Sequence, residues 1–303
     1  MKKTLKIIAL LMVFVMVLMC FAACGDSSNE SAEPEATDTE TTETEATEPE
    51  VVEPEPEPVT VESLFEGHKT KLASAEDISF NLNLALSMSM FGTAMDMVGD
   101  LTCELQGDNA HTYGKMTTSG DPTGEGGNEE SEVDTYTIKE GDKYVAYTKG
   151  ENGWEKEDTT SESIDGLKQM LDANMAVDLS KFTLTEENGM NVVSGELELE
   201  EALKALGDMM GDMDPSEMGV SDTEGISPVT IKYVFNGENL DSMQINMTEA
   251  MKSMMMKSIE EQGGSTEGID MEQIASLFSI NTMEFNLSNI RINSGIKVVA
   301  PEA

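Results

Sequence analysis

Positive charge is scarce in this sequence. Lysine and arginine together number 18 against 59 aspartates and glutamates, for a formal net charge of −41 at pH 7. A phosphate backbone is bound by neutralising it with basic side chains, so this balance excludes nucleic acid as a partner. It is repulsive toward anionic lipid surfaces as well. Histidine is scarcer still, with His68 and His111 the two residues of that type, which leaves few imidazoles for metal or acid–base chemistry. There is no G-x-S-x-G elbow, H-E-x-x-H helix, P-loop or dinucleotide fingerprint, and no repeat of fixed period. Carboxylates are abundant, but none stands in an apolar run that would raise its pKa and mark it as a catalytic acid. The sequence therefore predicts a protein that is not an enzyme and carries no cofactor and no resident metal.

The longest uncharged run lies at the N-terminus. Met1-Lys2-Lys3-Thr4-Leu5-Lys6 is followed by Ile7 to Gly25 without a charge, the pattern of an export signal. A run of about 17 apolar residues could just span a bilayer, but the small residues before Cys24 point to cleavage instead. Phe21-Ala22-Ala23-Cys24-Gly25 resembles the lipobox of bacterial lipoproteins, with Phe21 where an aliphatic residue is usual. Cys20 is a poor competitor because the large Met19 precedes it. The resemblance implies that residues 1–23 are removed and that Cys24 is diacylated, anchoring the chain on the extracytoplasmic face of the cell membrane. Each buried methylene contributes about 0.8 kcal/mol, so two chains hold stably where one holds weakly. With Cys24 acylated, Cys103 has no partner for an intramolecular disulfide and stability must come from a packed core.

Residues 24–60 contain thirteen acidic residues, no basic residue and five prolines, as in Glu53-Pro54-Glu55-Pro56-Glu57-Pro58. So little apolar content cannot offset chain entropy, and the segment reads as a disordered, self-repelling tether. Residues 61–303 exceed the roughly 100–200 residues of a usual domain. They read as one large β-rich domain, with two smaller ones also open.

Val61, Leu64, Phe65, His68 and Leu72 have helical spacing with one apolar stripe. Strict alternation follows: Ile78, Phe80, Leu82, Leu84, Leu86, Met88 and Met90 occupy every second position, the mark of a long strand with one buried face. A turn at Gly92-Thr93 would pair Met90 with Met95, Met88 with Met97, Leu84 with Leu101 and Leu82 with Cys103. Further antiparallel strands are expected near 110–118, 132–139 and 143–149. The Asn188-Gly189 step is a type I′ signal that pairs Leu184 with Val193 and Phe182 with Gly195. Val229, Ile231, Tyr233 and Phe235 form another buried face, to which Met243, Ile245 and Met247 return. In the last strand Met283, Phe285 and Leu287 shift phase to Ile290 and Ile292, which predicts a bulge near Ser288-Asn289. Helices are expected over 164–175, 199–213 and 248–261, and Asp270 with Gln273 resembles a capping box before Ile274, Leu277 and Phe278.

This order of elements resembles the LolA-like fold, in the lipoprotein carrier family and in lipoproteins such as LppX and LprG. Leu86-Ser87-Met88-Ser89-Met90, Asp142-Lys143-Tyr144-Val145-Ala146-Tyr147 before Trp154, and Ile296-Lys297-Val298-Val299-Ala300-Pro301 look like a Gram-positive branch of that group. The resemblance implies an α+β fold in which a strongly curved antiparallel sheet, a half-open barrel, wraps a few helices. It also implies an apolar cleft that takes a lipid or other hydrophobic ligand, with no catalytic residue to carry over. The cleft candidates are Leu84, Leu86, Met88, Met90, Met95, Met97, Phe285 and Leu287. Alternation alone fits a filled core equally well, in which case the tether would present a surface interaction or sensory module to a protein partner.

Four thioethers at one hairpin tip, Met88, Met90, Met95 and Met97, also resemble a Cu(I) site, since soft sulfur selects that ion. Methionine is abundant throughout, with 24 residues, and this abundance favours plastic core or cleft lining over a metal site. Cys103 on an inward strand face is expected to act as a small hydrophobe, and His68 as a packed histidine with one backbone partner. Trp154, after Asn152-Gly153, is expected to pack at a strand end, with the rim of a ligand site as the alternative. Asp212, Asp214 and Ser216 open like a calcium loop, but Glu217 and Thr223 break the pattern.

Overall fold

The computed structural model describes residues 58–90, 93–120, 128–150, 152–172, 178–202, 223–263 and 278–302. Helix α1 (Val61–Ala73) leads into strands β1 (Asp77–Met90), β2 (Thr93–Gln106), β3 (Asn109–Ser119), β4 (Glu129–Glu140), β5 (Lys143–Gly150) and β6 (Gly153–Thr159). Helix α2 (Glu162–Leu171) and a 3-10 turn (Leu179–Lys181) precede β7 (Phe182–Glu187) and β8 (Met190–Leu197). The chain closes with β9 (Val229–Asn236), β10 (Asn239–Asn246), α3 (Thr248–Gly263) and β11 (Phe278–Ile292). The leader, Cys24, the tether as far as Glu57, Gly92, Met175, residues 203–213, the Asp212–Ser216 loop and the Asp270–Gln273 box lie outside the described residues. Phe278, expected to end a helix, instead opens β11, its aromatic β-propensity fitting a strand as well. Among the described residues, no helix is long and apolar enough to cross a membrane.

The described strands form one antiparallel sheet in the order β6-β5-β4-β3-β2-β1-β11-β10-β9-β8-β7, left open with β6 and β7 as its edges. The Asn188-Gly189 hairpin has the expected register, with Phe182 opposite Gly195 and Leu184 opposite Val193. Both turn residues have positive φ, 55° and 78°, as a type I′ turn requires. The expected bulge is present too: the β1–β11 register slips between Ser288 and Arg291, with Asn289 at φ 54°. The β1–β2 register differs from expectation. Met90 stands opposite Thr93, Met88 opposite Met95, Leu82 opposite Leu101 and Phe80 opposite Cys103. The two registers are two residues apart, so the same side chains share the same face in both, and hydrophobic alternation cannot choose between them.

Helices pack on the inner face. Helix α1 starts at a reciprocal cap, in which Thr60 Oγ1 accepts from Ser63 N at 3.1 Å and Ser63 Oγ from Thr60 N at 2.9 Å. It drives Phe65 edge-on into Tyr233 and Phe235 of β9, with ring centroids 4.9 and 5.4 Å apart. Such pairs add about 0.5–1.5 kcal/mol each beyond their burial. Helix α3 presents Ala250, Met251 and Met254 to the same core. Thr248 at its start accepts the Met283 amide of β11 at 2.9 Å.

The Tyr233 hydroxyl is buried in this core with no hydrogen-bond partner among the described residues, and burial pushes its pKa upward. Tyr233→Phe removes a stranded donor at nearly constant shape, so chemical denaturation should find the variant as stable as the parent or about 1 kcal/mol more so. A loss of stability of that size would mean that the hydroxyl has a bonding partner.

The outer face of β4 and β5 carries a second, smaller cluster of Ile138, Val145 and Tyr147, covered by Val298 from the C-terminal segment. That segment is tied down at Asp77, whose carboxylate accepts from Ser294 N and Oγ, both at 2.9 Å, and from Gly295 N at 3.0 Å. Burial alone would raise the Asp77 pKa, but these bonds outweigh it and hold the carboxyl below its usual value. Trp154 packs against this outer cluster from β6, an edge strand whose charged alternation carries little apolar signal.

Candidate ligand cleft

Between the inner face of the sheet and α2 lies a cavity of about 360 Å³, within the range of roughly 300–1,000 Å³ typical of small-molecule sites. Thr148 of β5 and Met243 of β10 both line it, although six inter-strand steps separate those strands in the sheet order. At ~4.8 Å per strand a flat sheet would hold them about 29 Å apart, so the sheet curves to bring both to one cavity.

The space exists because inner side chains shrink on one flank. On β1, β2, β10 and β11 the lining is bulky: Leu82, Leu84, Leu101, Met243, Ile245, Phe285 and Leu287. On β3 to β5 the inward positions are mostly small, Ala110, Thr112, Thr118, Ser131, Thr135, Thr137 and Thr148, with Met116 and Val133 as the larger exceptions. The bulky residues of those strands, Tyr113, Tyr136 and Tyr147, alternate with them and so point to the other face. The roof is α2, which contributes Ser163, Gly166, Leu167 and Met170. It lies on the connection that carries the chain from edge strand β6 to the opposite edge, β7.

Of the residues expected in the cleft, Leu84, Phe285 and Leu287 line it. Leu86, Met88, Met95 and Met97 do not. Met88 and Met97 are buried at the far end of the β1–β2 hairpin, and Leu86 packs against the main core. Met97 stands opposite Thr118, a lining residue of β3, so the hairpin methionines lie past that end of the cleft, whose own thioethers are Met116, Met170 and Met243. The side chain of Met90 lies outside the described residues. The residues that sequence reasoning missed are mainly the small ones on β3–β5 and the helix residues Leu167 and Met170. The legible signal was a row of threonine, serine, alanine and glycine at alternate positions where a filled core would have had large side chains.

The chemistry available is limited. Cys103 lines the cavity wall but is fully buried, and burial pushes its thiol up to about 12; it is a small hydrophobe and not a nucleophile. His111 lies on the outer face, between Glu104 at 3.2 Å and Asp134 at 3.0 Å, and stacks on Tyr136 at 3.8 Å between ring centroids.

His68 is buried, and its Nε2 donates to the Leu171 carbonyl at 2.9 Å, closing the C-terminal end of α2. It thereby holds the roof to α1. Burial lowers its pKa below the usual 6.5, and the Leu171 carbonyl and Asp172 offset this only in part. The unfolded chain therefore binds a proton more readily, so this contribution to stability is complete above about pH 6.5 and is lost as pH falls through the lower folded value. Denaturant midpoints between pH 7 and 5 should fall more steeply for the parent than for His68→Gln; parallel curves would refute this role.

No protein-family model matches the chain, and no curated protein does. Among solved structures, a DUF1329 family protein from Desulfovibrio piger aligns over 78% of this chain and 95% of its own, at 9% identity and a TM-score of 0.19. A likeness at that score carries no argument.

Proposed function

We propose that this protein is an exported lipoprotein, held on the extracytoplasmic face of the cell membrane through lipidated Cys24, whose domain binds a hydrophobic ligand in the cleft under α2. The observation that carries the reading is the cavity itself, with Leu82, Leu84, Leu101, Phe285 and Leu287 along one wall. An open, curved sheet with helices on its inner face is the arrangement expected of a LolA-like half-open barrel. A filled interaction module would have no use for small inward residues on three successive strands. The role proposed is binding or handling, which a largely aliphatic wall supports directly. The acidic tether of residues 24–60 gives the domain reach, so that it can take a ligand from the bilayer or carry one away from it.

Native mass spectrometry of the chain released gently from membranes should find a bound apolar small molecule, retained by the parent and lost on unfolding. Preparations that are always empty, and that take up no added amphiphile, would end the reading. Metabolic labelling with a fatty acid tests the anchor separately: label should enter the parent and not Cys24→Ser.

A further inference from the structure

The two walls of the cleft differ in chemistry. Opposite the aliphatic wall, Thr112, Thr135 and Thr148 stand directly across from one another on three adjacent strands, a row about 10 Å long. The Thr135 hydroxyl has no hydrogen-bond partner among the described residues. That of Thr112 reaches the Cys103 sulfur at 3.9 Å, a weak acceptor. The Thr135 hydroxyl is buried as it stands, and a turn about χ1 that exchanges it with the methyl group would present it to the cleft; the row thus carries hydrogen-bonding capacity that the fold leaves unused.

Charge is missing from the same surface. Glu132 and Asp134 border the cavity, but their side chains belong to the outer face. Asp134 Oδ1 meets His111 Nε2 at 3.0 Å there, and Glu132 stands opposite Lys115. No lysine, arginine or histidine is among the described residues lining the cleft. An ionised group placed inside would lose its hydration and gain no counter-charge.

From this we infer that the cleft selects an uncharged amphiphile, laying one hydrocarbon chain along the leucine wall and a hydroxyl or ester carbonyl on the threonine row, and refuses ionised carboxylates and phosphates. The inference rests on the ligand-binding reading above and adds the class of ligand. The geometry suits a single chain, since the space is small and one-sided in its polarity.

The test uses the full chain carrying Cys24→Ser, so that no attached lipid competes, titrated calorimetrically at pH 7.5 with monolauroylglycerol, laurate and dodecane. Monolauroylglycerol should bind about tenfold or more tightly than laurate, which shares its chain. Replacing both hydroxyls, as Thr112→Val with Thr135→Val, should weaken monolauroylglycerol about three- to tenfold and leave dodecane unchanged. Laurate binding as tightly as the glyceride, or a valine variant that binds the glyceride like the parent, overturns the selectivity and leaves the cleft a general apolar site. If none of the three probes binds, the ligand-binding reading falls and the selectivity with it.

Discussion

The double variant Thr135→Phe/Thr148→Phe is expected to lose ligand binding and to keep or gain stability. Both residues face the cleft from adjacent strands, directly opposite one another. Each phenylalanine would take the space of roughly four carbon atoms. Denying a ligand even four buried methylenes, at about 0.8 kcal/mol each, removes about 3 kcal/mol, or about a hundredfold in affinity. The stability change carries independent information. If the space is a true cavity, filling it is neutral or stabilises by about 0.5–2 kcal/mol, and the stranded Thr135 hydroxyl disappears as well. If these threonines were packed as in a filled core, each enlargement would cost about 1–3 kcal/mol. Denaturant midpoint and ligand titration on the same sample therefore separate a cleft from a core. A variant that is destabilised and still binds would contradict both halves of the argument.

Much of the sheet was legible in the sequence because its signals were local. Seven inward residues at alternate positions announced β1, and Asn188-Gly189 set the β7–β8 register through the φ values that its turn demands. The phase change after Leu287 located a bulge. Register at the β1–β2 hairpin failed because a slip of two residues preserves every facing relation. Strand β6 was hidden for a different reason. Gly153–Thr159 is an edge strand of mostly exposed charged residues, and such edges are blunted by charge, which also removes the hydrophobic pattern that identifies a strand.

The candidate site was misplaced along the sheet by the assumption that the most apolar residues line a cleft. Met88 and Met97 are buried at the far end of the hairpin and line no part of this cavity, whereas the short Thr112, Thr135 and Thr148 do. A void is made by what side chains fail to occupy. Strands β3–β5 put Tyr113, Tyr136 and Tyr147 on the opposite face, so apart from Met116 and Val133 their alternation reads as large-out and small-in. That inversion becomes interpretable only once the C-terminal segment is seen to cover Tyr147 with Val298, a contact more than half the length of the domain away in sequence.

Among single substitutions in the wall of the cleft, Gly114→Ala should be the most damaging. Gly114 lies on β3 between Leu101 and Val133, both of which line the cleft. Its φ of 149° lies where L side chains are rarely found, and an added Cβ would be driven into the Asp100 carbonyl oxygen and to within 2.9 Å of Leu101 Cα. Both neighbours are backbone, so no side chain can swing aside. Relief requires β2 and β3 to separate or β3 to change its path, and the bend that wraps the sheet around the cavity is lost with either. Backbone strain of this kind costs about 1–3 kcal/mol before the clash is counted, so the expected destabilisation is about 3 kcal/mol or more. Gly107→Ala supplies the comparison. Gly107 also has positive φ, 58°, but an added Cβ there meets nothing within 4 Å, and the expected loss is only about 1–2 kcal/mol. Chemical denaturation of the two variants should rank them in that order, and binding of an uncharged amphiphile should weaken in Gly114→Ala alone. Equal losses at the two positions would show that conformational strain, and not close approach of β2 and β3, is what demands glycine at 114.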